Sequence, residues 1–165
     1  MKNDPSIFAA LAALILGLLV GCGGGGAQPA AGPPYRPVST LEQVMHDVIF
    51  PNADAVWKSV GTIITLEETT EIAPADENEW VALEGHARTL MEAGNLLMMG
   101  DRPKDQDEFM KRALALMDAS AKVLEAAKAR DADLVFDRGE LIYNACLECH
   151  AKYRGEDESD ADEAH

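Results

Sequence analysis

The chain has 165 residues, 47% of them hydrophobic but only 5% aromatic, and a formal net charge of -15 at pH 7. Charge of that sign repels nucleic-acid phosphates and anionic lipid surfaces, which argues against phosphate-backbone binding. It suits a basic partner, or simple solubility. The length fits one domain with appendages, and the preference for Ala, Leu, Met and Glu favours helices over sheets.

Residues 1–21 read as a targeting segment. Lys2 gives a weak positive start, and the apolar run from Ile7 to Val20 is short for a membrane span but fits a signal core. It ends in Leu19-Val20-Gly21-Cys22, which resembles a bacterial lipobox, whose cysteine is lipidated and opens the mature protein. An ordinary signal peptide or an uncleaved anchor is the competing reading. Residues 22–38 then carry the lipidated Cys22 and a Gly/Pro-rich tether without apolar periodicity, expected to be a disordered spacer. The expected location is the periplasmic side of a membrane, held by the lipid. Gly23 rather than Asp follows Cys22, which by similarity to bacterial lipoproteins tilts the expectation toward the outer membrane.

The folded domain is expected over residues 39–154. Ser39-Thr40-Leu41-Glu42 reads as a capping box with Ser39 as N-cap, and Leu41, Val44, Met45 and Val48 recur on one helical face. Pro51 should kink or briefly break this helix, which resumes through Val56 and Val60 and ends at Gly61. Residues 62–75, rich in Thr and Ile, read as a long irregular connection with a short β-like stretch. A second helix starts near Asp76 or Asn78, carries Trp80, Leu83, Ala87, Leu90, Met91, Gly94, Leu97 and Met98, and closes at Gly100. Pro103 and Asp105 open a third, striped by Phe109, Ala113, Leu116, Met117, Ser120, Leu124 and Ala127. Asp131 caps a fourth, striped by Leu134, Val135, Leu141, Ile142, Ala145, Cys146 and Cys149. Amphipathic helices with mostly short connections make an all-α, antiparallel four-helix bundle. Residues 155–165 form an acidic tail, expected to be disordered.

Cys146-Leu147-Glu148-Cys149-His150 carries the chemistry. The chain has 3 cysteines, and with Cys22 assigned to lipid the other two form a pair with none left for a disulfide framework. On a helix, thiols three apart project from nearly one face and the next side chain lies about a third of a turn round. That spacing lets both thiols add to the haem vinyl groups while the imidazole reaches the iron, the c-type attachment pattern. A zinc tetrad lacks a second ligand pair, since His46, His86 and His165 are scattered. A redox dithiol belongs at a helix N-terminus in a βαβ context, whereas this pair is near a helix C-terminus. One covalent haem c on the last helix is therefore expected, in keeping with an exported protein.

The motif continues through Tyr153 and Arg154 near the end of the fourth helix, and in this it resembles the class II cytochromes c, the cytochrome c′ and cytochrome c-556 family. Only the terminal motif is specific; over residues 39–154 the resemblance is one of helix pattern. It implies a haem inside the bundle, His150 as proximal iron ligand and Arg154 near a haem propionate; a surface arginine favoured by the dipole at the helix C-terminus is the competing role for Arg154. It also implies that the first helix supplies the residue over the distal face, which here is Met45; core packing is the competing role for that thioether. A homodimer through the first two helices would accord with the family. Of the remaining side chains, His46 reads as solvated, His86 as structural, and Trp57 and Trp80 as core or haem-edge packing.

The function that follows is single-electron carriage by a membrane-anchored cytochrome, with a redox partner protein of basic surface. The alternative is a five-coordinate cytochrome c′-like protein binding nitric oxide or carbon monoxide. Nothing points to an enzyme, because no nucleophile–base constellation stands out.

Overall fold

The computed structural model describes residues 35–154. The signal segment, Cys22, all but the last residues of the tether, the acidic tail and His165 lie outside the described residues. Every element below belongs to the unit that begins at Pro37.

The first helix, α1, spans residues 41–58 in three segments: α-helical Leu41–Val44, a π-helical turn over Met45–Ile49, and α-helical Phe50–Lys58. Its capping box sits one residue later than expected. Thr40 is the N-cap: its Oγ1 accepts from Gln43 N at 3.1 Å, and its N–H donates to Gln43 Oε1 at 2.9 Å. Two overlapping S/T-x-x-E/Q patterns compete here, and the Ser39 carbonyl is instead taken by buried Arg102 Nε at 3.0 Å. Pro51 does not break the helix. It lacks an N–H for the Asp47 carbonyl, and the strain is absorbed by the wider turn before it, in which Phe50 N–H reaches back five residues to Met45 O. Asn52 Nδ2 donates to the Val48 carbonyl at 2.7 Å. The extra residue shifts the helical phase, so Val44 and Ile49 are buried five apart, followed by Ala53, Val56 and Val60.

The expected irregular connection is an antiparallel hairpin of β1, Gly61–Ile64, and β2, Thr69–Ile72, registered Gly61 to Ile72. Thr65 closes its turn, Oγ1 accepting from Glu68 N at 3.0 Å. Helix α2, Glu77–Leu97, starts on Asp76, whose side chain accepts from Glu79 N. Helix α3 covers Glu108–Lys128 and α4 covers Ala132–Tyr153, the latter capped by Asp131 as expected. Helix α3 starts later than Pro103 or Asp105. Asp105 stays outside it and accepts from Asp107 N and Phe109 N, both at 3.0 Å.

Specific contacts give the directions. Asn52 meets His86 and Ser39 meets Arg102; Glu84 meets Arg130 while Gly94 faces Met117; Arg112 meets Glu148 and Phe109 meets Tyr153. Each helix thus runs antiparallel to the next, around a core that includes Leu83, Leu90, Phe109, Val123, Val135 and Ile142. Among the described residues no helix is long and apolar enough to cross a membrane. Charge also enters the core: Glu84 is 8% exposed and held by Arg88 and Arg130, and the Arg130 guanidinium lowers its pKa from the usual carboxylate value.

At Gly94 the α2–α3 approach leaves no room for a side chain. A Cβ there would collide with Met117 Cγ, stand 2.7 Å from Met117 Sδ and 3.1 Å from the Ala113 carbonyl. Gly94→Ala should therefore lower unfolding free energy by about 1–3 kcal/mol through overpacking, despite the helix propensity gained. Urea unfolding followed by circular dichroism reads this directly, and Gly85→Ala, where a Cβ meets open space, is the matched control.

Candidate functional site

The apolar stripe of α4 changes character along its length. Val135, Gly139 and Ile142 are buried, and the stripe then continues through Ala145, Cys146 and Cys149, none of which is. Among the described residues the cover is only partial, because of where α1 goes. It meets α4 chiefly through Phe50–Lys58, while its Met45–Ile49 turn packs on α2. Trp57 bridges the two helices: Nε1 donates to the Gly139 carbonyl at 3.0 Å, and the ring stands edge-on to Tyr143 at 6.1 Å. N-terminal to Trp57, α1 carries a second half-buried stripe, Leu41, Met45 and Val48, against the edge of the core. With the helices antiparallel, both half-covered stripes lie toward the same end of the bundle.

Cys146 and Cys149 are free thiols, both half-buried. Burial, and then the neighbouring Cys149, push the Cys146 thiol up to about 11. Burial also raises Cys149, against a lowering pull from the Arg112 guanidinium. This is the opposite of a redox dithiol, which needs a depressed thiol and the N-terminal end of a helix. His150 follows, half-buried, and its carbonyl accepts from Arg154 N–H at 3.0 Å where the helix ends. Among the described residues no group of three His, Cys, Asp or Glu side chains is placed to hold a free metal ion.

Two neighbours that sequence reasoning missed fix this last turn. Arg112, on α3, pairs with Glu108 at 2.7 Å and with Glu148, yet its buried Nε has no hydrogen-bond partner among the described residues. Asp105 accepts a hydrogen bond from Tyr153 Oη, while the Tyr153 ring stacks edge-on against Phe109 at 5.3 Å. The Tyr153 bond, then the two backbone N–H groups, lower the Asp105 carboxyl to about 2. Burial and the same bond raise the Tyr153 phenol to about 12.

A carboxyl with a depressed folded value stabilises fully above its unfolded value of about 4 and loses that contribution as pH falls through 2. Asp105→Asn should therefore lower the melting temperature at neutral pH, and the gap to the parent should close as the pH is lowered from about 4 toward 2. Melting curves of the two proteins across that range check it; a gap independent of pH would remove Asp105 as the titrating group.

The other candidates separate. His46 is 86% exposed and pairs with Asp47, so it is solvated as expected. His86 Nδ1 meets Asn52 Oδ1 at 2.9 Å, a bridge between α1 and α2. Trp80 lies under Arg130 at 5.7 Å, away from the thiol turn. The chain thus brings Cys146, Cys149, His150 and Arg154 together on one helix end and sets Met45 on another helix toward the same end. Cys22 lies outside the described residues. No family model, no curated protein and no solved structure matches the chain.

Proposed function

We propose that the chain is a class II c-type cytochrome that carries single electrons, anchored by lipid at Cys22 on the periplasmic side of a membrane, with the outer membrane favoured. The observation that supports this best is the half-covered apolar stripe beyond Ile142, which holds two unlinked thiols and lies toward the same end of the bundle as the half-buried Leu41–Met45–Val48 stripe. A flat apolar group between α1 and α4 would complete both stripes. Haem c, bound there, supplies an iron that gains and loses one electron.

The residues divide the work. Cys146 and Cys149 tie the group to α4 through thioethers, one helical turn apart, and so fix which imidazole faces the metal. His150 is the proximal ligand. Tyr153, tethered to Asp105 and stacked on Phe109, holds the turn that carries it. Arg154 closes the helix and is assigned to a propionate. Met45 is assigned to the distal side, where a thioether raises the potential. The remaining core excludes water. The acidic surface suits a basic redox partner, and a homodimer would accord with the resemblance to the family.

The test is an absorption spectrum of the full-length protein made with a periplasmic haem-attachment system. A chain-bound, low-spin spectrum with the charge-transfer band of methionine–iron ligation supports electron carriage. A high-spin spectrum that shifts readily on carbon monoxide replaces it with gas binding by a five-coordinate iron. Absence of haem overturns both.

A further inference from the structure

We propose that the outward face shared by α1 and α4 is a docking surface for a basic protein whose contact patch is apolar at its centre and ringed by lysine or arginine. Phe50 is 61% exposed, Phe136 62%, Tyr143 51% and Leu147 49%. Phe50 lies two turns before Trp57 on one face of α1, and Phe136, Tyr143 and Leu147 share one face of α4 by helical spacing. The Trp57–Tyr143 contact joins the two rows, and a cleft of about 290 Å³ opens there between Val56, Val60, Phe136 and Gly139. Four large apolar side chains standing out along paired helices form the kind of patch that marks an interface.

Charge selects the occupant. Glu140 lines the cleft itself, and exposed Asp133 and Asp137 flank the row on α4. Asp54 lies on the α1 side and pairs with Lys58 at 2.8 Å. A second copy would bring the same carboxylates face to face, on a chain whose net charge is -15. An anionic lipid surface is repelled in the same way. A basic rim around an apolar centre satisfies both halves of the patch.

The surface deepens the electron-carrier reading and rests on it for purpose, since Tyr143 and Leu147 flank the turn of Cys146. Its existence is tested by a readout that does not depend on haem in this chain. Isotope-labelled full-length protein is titrated with a basic c-type cytochrome bearing a lysine-ringed haem edge, and amide shifts are mapped. The expected result is shifts clustered on Phe50, Trp57, Phe136, Tyr143 and Leu147, with binding that weakens as salt rises. The double variant Asp137→Lys/Glu140→Lys should weaken binding roughly tenfold, whereas Glu92→Lys/Glu125→Lys, exposed on α2 and α3, should leave it unchanged. Shifts centred on the β-hairpin or the acidic tail overturn the assignment, as does equal loss in both double variants. Sedimentation showing a dimer of this chain that Phe136→Asp dissociates would assign the face to self-association instead. If the chain proves to lack haem while the shift map holds, the electron-carrier reading fails and the docking surface stands.

Discussion

Removing both thiols with Cys146→Ala/Cys149→Ala is expected to abolish chain-bound haem while leaving the helical bundle folded. Haem stain on a denaturing gel and intact mass read the first part; circular dichroism reads the second. The single variants should each retain one attachment point and give partial, more labile loading. The fold should survive because neither sulfur belongs to the buried core: the last fully buried side chain of α4 is Ile142, a turn earlier. Truncating two half-buried thiols removes little apolar area, on the order of 1 kcal/mol in all. The alternative chemistry predicts something different. Unmodified, Cys146 is a thiol pushed up to about 11, so the protein would react slowly with thiol reagents at neutral pH and faster as the pH rises. A loaded cytochrome has no thiol to titrate there. Parent protein with two titratable thiols and no added mass would remove the haem assignment entirely.

The helices were legible because each carries one apolar face at helical spacing, and the packed side chains follow those faces closely on α2 and α3. What escaped was decided by contacts between distant residues. Nothing in Ser39-Thr40 says which residue caps α1; the choice falls to Thr40 once Arg102, sixty-three positions later, claims the Ser39 carbonyl. The start of α3 moved for a related reason, since Asp105 supports the helix from outside it while holding Tyr153 from α4. The hairpin was half visible, because a run of Thr and Ile signals strand but its pairing depends on a turn closed by Thr65. The thiol–imidazole turn was fully legible, being local in sequence. Arg112 and Asp105 were not, as a charged residue on an amphipathic helix and one in a connection carry no mark of what they will face. The phase shift in α1 was the subtlest miss. Pro51 signalled a disturbance, but whether it becomes a break, a kink or a π turn depends on the neighbouring packing.

That π turn bears on Met45, where the second large effect is expected. Met45→Leu should convert a low-spin, methionine-ligated haem to a high-spin one that binds carbon monoxide readily, and should lower the reduction potential. Leu keeps the volume and the packing, so stability should change by less than about 1.5 kcal/mol. Met45→Ala should show the same spectral change with a larger loss of stability, below the 2–5 kcal/mol typical of a fully buried site because Met45 is only half covered. The pair of variants separates ligand from filler. A packing role moves stability and leaves the spectrum alone, and a ligand role moves the spectrum in both. Met98, also half-buried against the core but on the connection after α2, is the control whose replacement by Leu should leave the iron unchanged. The geometry makes the outcome informative either way. Met45 opens the wide turn, its carbonyl accepting from Phe50 at five-residue spacing, and this places it beside Leu41 and Val48 rather than in the fully buried row of Val44 and Ile49. If the spectrum follows Met45, the π turn is the backbone device that keeps a thioether at the open end of the bundle. If it does not, the same half-covered side chain roofs an open iron site, and the protein is a gas binder.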